Sequence, residues 1–134
     1  MKIRAAVVSA LAVLGSTVAL ASPAQAAYTC GANEVCLYQD WGLHGSVKVF
    51  RDLTPGNGIT DFRFYYYTNS ANLNDSISSI YNRSAHPVWV FEDGNYNSQH
   101  PERVAMKINA GQALDFNIHT KMPNDTVSSI GMDK

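Results

Sequence analysis

Asn74-Asp75-Ser76-Ile77-Ser78-Ser79 and Asn124-Asp125-Thr126-Val127-Ser128-Ser129 are two copies of one hexapeptide, fifty residues apart, each followed by isoleucine (Ile80, Ile130). An Asn-Asp pair with Ser-Ser two residues further on gathers side-chain and main-chain oxygens into one tight turn. Hard cations such as calcium take oxygen clusters of this kind. One such turn alone would read as side chains bonding their own backbone. Two copies in register argue instead for a duplicated unit with one candidate ion site in each half.

Each copy has an upstream companion. Val35-Cys36-Leu37-Tyr38-Gln39-Asp40 is followed by Gly45, seven residues after Tyr38. Val88-Trp89-Val90-Phe91-Glu92-Asp93 is followed by Ser98, seven residues after Phe91. Each half therefore runs from an apolar strand ending in an aromatic, through an acidic turn, to the hexapeptide. The halves cover about 30–83 and about 86–134. Ser84-Ala85-His86-Pro87 joins them and is too short to separate domains.

The first 26 residues read as a secretory signal peptide. Lys2 and Arg4 make a basic start, Ala5 to Leu20 is an uncharged apolar run, and Ala24-Gln25-Ala26 supplies a cleavage site. The run is short for a membrane anchor. The protein is thus expected to be secreted, with 27–134 as its one folded domain. Removing Lys2 and Arg4 from the 10 basic residues leaves 8 against 11 acidic ones. That balance argues against a general binder of nucleic acid or anionic membrane, which needs a basic face. Export makes a Cys30–Cys36 disulfide the expected state. Its loop is short, so on the chain-entropy account it contributes at most about 3 kcal/mol. The four histidines, His44, His86, His100 and His119, lack zinc-ligand spacing.

Strand-like runs dominate: Val35–Gln39, Ser46–Arg51, Ser78–Asn82, Val88–Glu92, Arg103–Ile108, Ala113–Ile118 and Ser128–Met132. Turn signals such as Pro55-Gly56-Asn57-Gly58 and Asn109-Ala110-Gly111 separate them. Many short strands in about a hundred residues suggest an all-β sandwich. Phe62-Arg63-Phe64-Tyr65-Tyr66-Tyr67 reads as a further strand or a folded aromatic loop.

An aromatic strand, a glycine seven residues on and Asn/Asp-Asn/Asp-x-x-Ser/Thr-Ser together resemble the βγ-crystallin Greek-key motif. Two copies resemble one calcium-binding βγ-crystallin domain of microbial type. Val35-Cys36-Leu37-Tyr38 and Asn74 through Ser84 also resemble secreted actinomycete proteins grouped as a peptidase inhibitor family, named for a metalloproteinase inhibitor. The resemblance implies two Greek-key motifs forming one β-sandwich, with two structural calcium sites shared between the halves. Carried over by position, one site uses Asn74, Asp75, Ser76 and Ser78 with the carbonyl of Glu92. The other uses Asn124, Asp125, Thr126 and Ser128 with the carbonyl of Gln39. Few formal charges and several neutral oxygens suit moderate affinity, near the 10⁻⁴ M order of extracellular modules. Ser98 departs from the motif's glycine, so the second hairpin is expected to be strained by about 1 kcal/mol or to shift its bend. Asn-x-Ser/Thr triplets at Asn74, Asn82 and Asn124 also fit the glycosylation pattern, and are read as accidental because the resemblance is bacterial.

The resemblance implies an inhibitor of a secreted metalloprotease, acting as a monomer. Arg63-Phe64-Tyr65-Tyr66-Tyr67 is the candidate partner contact, with at least two aromatics of the segment expected to face inward. The alternative is a structural, stress or cell-wall glycan-binding module, in which the same tyrosines stack on sugars. An enzyme is not expected, since no His-Glu-x-x-His pattern or nucleophile elbow occurs and nothing groups a base with an activated nucleophile.

Overall fold

Alternating apolar residues, cut by Gly, Pro and Asn turns, form eight short strands in a computed structural model that describes residues 27–134 apart from Ile118. The expected signal peptide, 1–26, lies outside the described residues. The first half supplies β1 (Val35–Asp40), β2 (His44–Phe50), β3 (Gly58–Ile59) and β4 (Ser79–Asn82). The second supplies β5 (Val88–Phe91), β6 (Ala105–Ile108), β7 (Ala113–Asp115) and β8 (Ser129–Met132).

The strands form two antiparallel sheets, ordered β2-β1-β4-β7 and β3-β8-β5-β6. Each half keeps three strands together and lends its third to the other sheet. β3 pairs with β8 through Gly58↔Gly131 and Ile59↔Ile130. β7 pairs with β4 through Ser79↔Asp115 to Tyr81↔Ala113. This reciprocal exchange makes the two Greek keys one sandwich. It also brings the two hexapeptides, which open onto β4 and β8, against each other.

The inner faces carry the core. Val35, Leu37, Ile77, Ile80, Val88, Val90, Val127 and Ile130 are all at or below 1% exposure. Phe50 stacks on Phe62 with ring centroids 6.0 Å apart. β1 is buried on its outer face too, because residues 28–34 fold back over it. The Cys30–Cys36 disulfide, with Cα atoms 6.0 Å apart, pins that segment beside Tyr38 and Val47. Tyr38 donates its hydroxyl to the Tyr28 carbonyl at 2.9 Å, and Arg83 donates to the Cys30 carbonyl at 2.8 Å. The buried Glu34 carboxylate accepts from the Gly31 N–H, the Tyr28 hydroxyl and Arg51. These donors, the Gly31 N–H foremost, hold it below the usual carboxylate range.

Two elements differ from the sequence expectation, and the aromatic run takes the second of its two readings. β3 starts at the last residue of the Pro55–Gly58 turn and has only two residues, too few to show alternation. β7 stops at Asp115, since Asn117 opens a turn by accepting from the His119 N–H at 2.8 Å. The aromatic run is a folded loop: a 3-10 turn at Phe62–Phe64, then a bridge from Tyr66 to Asn72.

Candidate functional site

The first hairpin shows how a site is framed. Between β1 and β2 the register moves from Tyr38↔Val47 to Asp40↔His44, a bulge opposite Gln39. Gly45 sits in that bulge at φ 73°. A Cβ there would meet the Asp40 carboxylate, with Cγ at 2.8 Å, but that side chain is exposed and can turn aside, so it is the left-handed backbone that calls for glycine.

The second hairpin solves the same problem without glycine. Ser98 adopts ordinary right-handed φ −61°, so the bend has shifted and no strain sits on the serine. Positive φ falls instead on Asn95, Tyr96 and Asn97, at 53°, 58° and 57°. Asn97 is 5% exposed and stitches the turn shut. Its side chain accepts from the Asp93 N–H at 2.8 Å and donates to the Arg103 and Val104 carbonyls at 3.0 Å. Asparagine tolerates left-handed backbone better than other non-glycine residues. Asn97→Ala is expected to cost about 3 kcal/mol, from stranded hydrogen-bonding groups plus the left-handed backbone. Asn97→Gly, which relieves only the backbone, is expected to recover about 1 kcal/mol of that, as read by urea unfolding.

Both hexapeptides adopt one conformation. Asp75 and Asp125 have φ of 52° and 54°. Their N–H groups donate across the interface between halves, Asp75 to the Val127 carbonyl at 3.2 Å and Asp125 to the Ile77 carbonyl at 3.3 Å. Ser128 Oγ donates to Asp75 Oδ1 at 2.8 Å, and Ser78 Oγ to Asp125 Oδ1 at 3.4 Å. The Ser78 N–H donates to the Tyr38 carbonyl at 3.0 Å, and the Ser128 N–H to the Phe91 carbonyl at 2.9 Å.

The grouping of donors therefore differs from the one carried over by position. Position in the motif pairs Asp75 with Ser78, and Asp125 with Ser128. The structure instead puts Asp75 with Ser128 next to Phe91–Glu92, and Asp125 with Ser78 next to Tyr38–Gln39. Each cluster takes its serine and hairpin from one half and its aspartate from the other. Strand exchange causes this, because it sets the two turns antiparallel and face to face.

The remaining predicted residues divide by role. Asn74 donates its side chain to Asp75 Oδ2 at 2.7 Å, and Asn124 Oδ1 accepts from the Trp41 indole at 3.0 Å. The Ser76 hydroxyl donates to the Asn72 and Leu73 carbonyls, and Thr126 Oγ1 to the Pro123 carbonyl. Those two hydroxyls serve their own turns. The Glu92 carboxylate accepts from the Val104 N–H at 3.0 Å and from Arg103 at 3.3 Å. The Gln39 side chain accepts from Asn69 at 2.9 Å. With those side chains engaged, Gln39 and Glu92 are left to offer their main-chain oxygens.

Sequence reading missed the last serine of each copy. Ser79 Oγ donates to the Asp40 carbonyl at 2.6 Å and accepts from the Leu43 N–H at 3.0 Å. Ser129 Oγ does the same with the Asp93 carbonyl at 2.7 Å and the Tyr96 N–H at 3.2 Å. Both serines are fully buried. They clamp each hairpin over its cluster, and the only trace of this in the sequence was that Ser-Ser recurred whole.

The donor set fits a hard cation. Each cluster offers one carboxylate, one hydroxyl and nearby carbonyl oxygens, with no nitrogen or sulfur ligand. The Asp–Ser oxygen separations of 2.8 and 3.4 Å suit neighbouring ligands on an ion with bonds of about 2.4 Å. A cleft of about 500 Å³ opens beside the Asp75–Ser128 cluster, lined by Asp61, Arg63, Asp93 and His100 among others. Arg63 is bound to Asp61 at 2.6 Å, and that bond holds the Asp61 carboxyl below its ordinary range.

The aromatic segment rises at the edge of this cleft. Phe62 and Tyr67 are buried, Tyr65 is half-buried, and Phe64 and Tyr66 are 75% and 53% exposed. Tyr67 is thereby removed from the candidate contact. Its hydroxyl donates to the Ser76 carbonyl at 2.8 Å, and burial pushes its pKa up.

A model of the peptidase inhibitor family I36 matches residues 23–102, more than half of the chain. The chain belongs to peptidase inhibitor family I36. Membership marks this family I36 protein as an inhibitor-type protein rather than an enzyme. No curated protein gives a significant match. Among solved structures it is similar to one described under the evolution of the eye lens βγ-crystallin domain fold. That similarity has 21% identity and a TM-score of 0.60, over 80% of this chain and 92% of the other. It is also similar to a βγ-crystallin from Ciona intestinalis, at 17% identity and a TM-score of 0.54, over 75% of this chain and 99% of the other. These likenesses show the fold: the family I36 member is an all-β protein built as a βγ-crystallin domain.

Proposed function

We propose that this family I36 protein is a secreted, calcium-stabilised inhibitor of a metalloprotease. The observation that carries the inhibitor reading is the family match, laid over a sandwich that presents an exposed, braced aromatic loop. A rigid scaffold suits inhibition, since little ordering entropy is lost on docking. Export rests on the leader-like residues 1–26 and agrees with the Cys30–Cys36 disulfide, which an oxidising compartment preserves. Calcium rests on the two oxygen clusters. Asp75 with Ser128 would hold one ion and Asp125 with Ser78 the other, aided by the main-chain oxygens of Glu92 and Gln39. Bound there, an ion would link residues of both halves and so act on the whole fold.

The test is a titration of calcium-loaded protein against a thermolysin-type metalloprotease, with hydrolysis of a peptide substrate as readout. Stoichiometric loss of activity is expected. Undiminished hydrolysis at excess protein would remove this protease class and leave a calcium-stabilised structural or glycan-binding module as the account.

A further inference from the structure

We infer that Phe64 is the side chain that enters the target's specificity pocket, and that this pocket is large and apolar. The inference rests on the inhibitor reading and adds the residue and the class of target.

Phe64 is the most exposed of the large apolar side chains among the described residues, at 75%. A single exposed apolar residue is ordinary on a protein surface. What sets this one apart is how firmly its backbone is held. Phe62, two residues before it, is fully buried, and Tyr67, three residues after it, is 4% exposed. Between these anchors the chain is braced on either side of Phe64. The Asp61 carboxylate accepts from the Arg63 N–H at 2.9 Å and from its guanidinium at 2.6 Å. The Asn72 side chain donates to the Arg63 carbonyl at 2.8 Å, and the Leu73 N–H to the Tyr65 carbonyl at 2.9 Å. A ring presented on a backbone fixed before binding loses little entropy when it is captured, which is the property of an interface anchor.

Charge selects the kind of pocket. Arg63 is the one cation at the tip, and Asp61 already occupies it. A pocket with an acid at its base, built for arginine or lysine, finds no free cation here. The neighbouring cleft also carries Asp93, which would repel acidic groups around such a pocket. A large apolar pocket meets neither obstacle.

The experiment compares the protein with Phe64→Ala and Phe64→Leu against two peptidases. One is thermolysin-type, with an apolar pocket; the other is trypsin-type, with an acidic one. The expected result is inhibition of the first peptidase only, weakened about thirtyfold or more by Phe64→Ala and kept within about threefold by Phe64→Leu. All three proteins should unfold at the same temperature, because an exposed ring contributes little to the fold. Equal inhibition by the parent and Phe64→Ala would overturn the inference and leave the inhibitor reading standing. Inhibition of the trypsin-type enzyme alone would overturn the pocket assignment. No inhibition of either would fell the inhibitor reading for these classes, and the inference with it.

Discussion

Gly58→Ala is expected to lower the thermal unfolding midpoint by about 10 °C or more, equivalent to a loss of about 3 kcal/mol. The cause is backbone proximity and not conformational freedom. A Cβ at this position would collide with the Ile130 carbonyl oxygen and lie 2.6 Å from Gly131 Cα. Neither neighbour can yield, because β8 is paired on both sides, with β3 through Gly58↔Gly131 and with β5 through Trp89↔Gly131. Relief requires β3 to leave the sheet. It has only two residues to hold it, and its departure removes one of the two strands exchanged between halves. Ile59, packed against the core, would move with it. Thr60→Ala, close by but exposed, is expected to stay within about 0.5 kcal/mol of the parent. A Gly58→Ala protein as stable as the parent in calorimetry would show that the exchanged strand is dispensable.

That dependence explains which parts of the molecule could be read from the sequence. Strand-like runs located β1, β2, β4, β5, β6, β8 and the start of β7, helped where Val35, Leu37, Val88 and Val90 alternate with residues on the opposite face, and the repeat located the duplicated turns. β3 escaped because its evidence is a glycine whose constraint comes from Ile130 and Gly131, seventy residues along the chain. The pairing of Asp75 with Ser128 escaped for a related reason. Repeats reveal that two units exist, and strand exchange decides which turn faces which. Ser98 shows the limit of reading by motif position. The missing glycine marked a real change, yet the compensation lies in Asn97, whose buried side chain supplies three hydrogen bonds that no spacing rule announces. In the aromatic run no alternation sorts the rings. Only packing distinguishes Phe62 and Tyr67, which are buried, from Phe64 and Tyr66, which are not.

Calcium is expected to raise the unfolding midpoint by about 10 °C or more, and Asp75→Asn with Asp125→Asn together to abolish that rise. An ion that binds only the folded state adds RT ln(1 + [L]/Kd). At about 10 mM calcium and a Kd near 10⁻⁴ M this is about 2.7 kcal/mol for each site. For a domain of about a hundred residues, each kcal/mol shifts the midpoint by about 4 °C or more. The gain should be global, because the Asp75–Ser128 and Asp125–Ser78 pairs each span the two halves. Opening either half would release both ions. Asparagine preserves the shape of aspartate and can still accept from the serine hydroxyl, so each single variant should match the parent in chelator. Each should lose about half of the calcium increment. Magnesium should do little, since it holds its water tightly and asks for a strict octahedron that two pliant turns do not impose. Trp41 gives an independent readout, because its indole donates to Asn124 in the hexapeptide that carries Asp125. Its fluorescence should change on calcium addition in the parent and in Asp75→Asn, but not in Asp125→Asn. A parent protein whose midpoint and fluorescence ignore calcium would remove the ion from the account, leaving the two clusters as hydrogen-bonded clasps between the Greek keys.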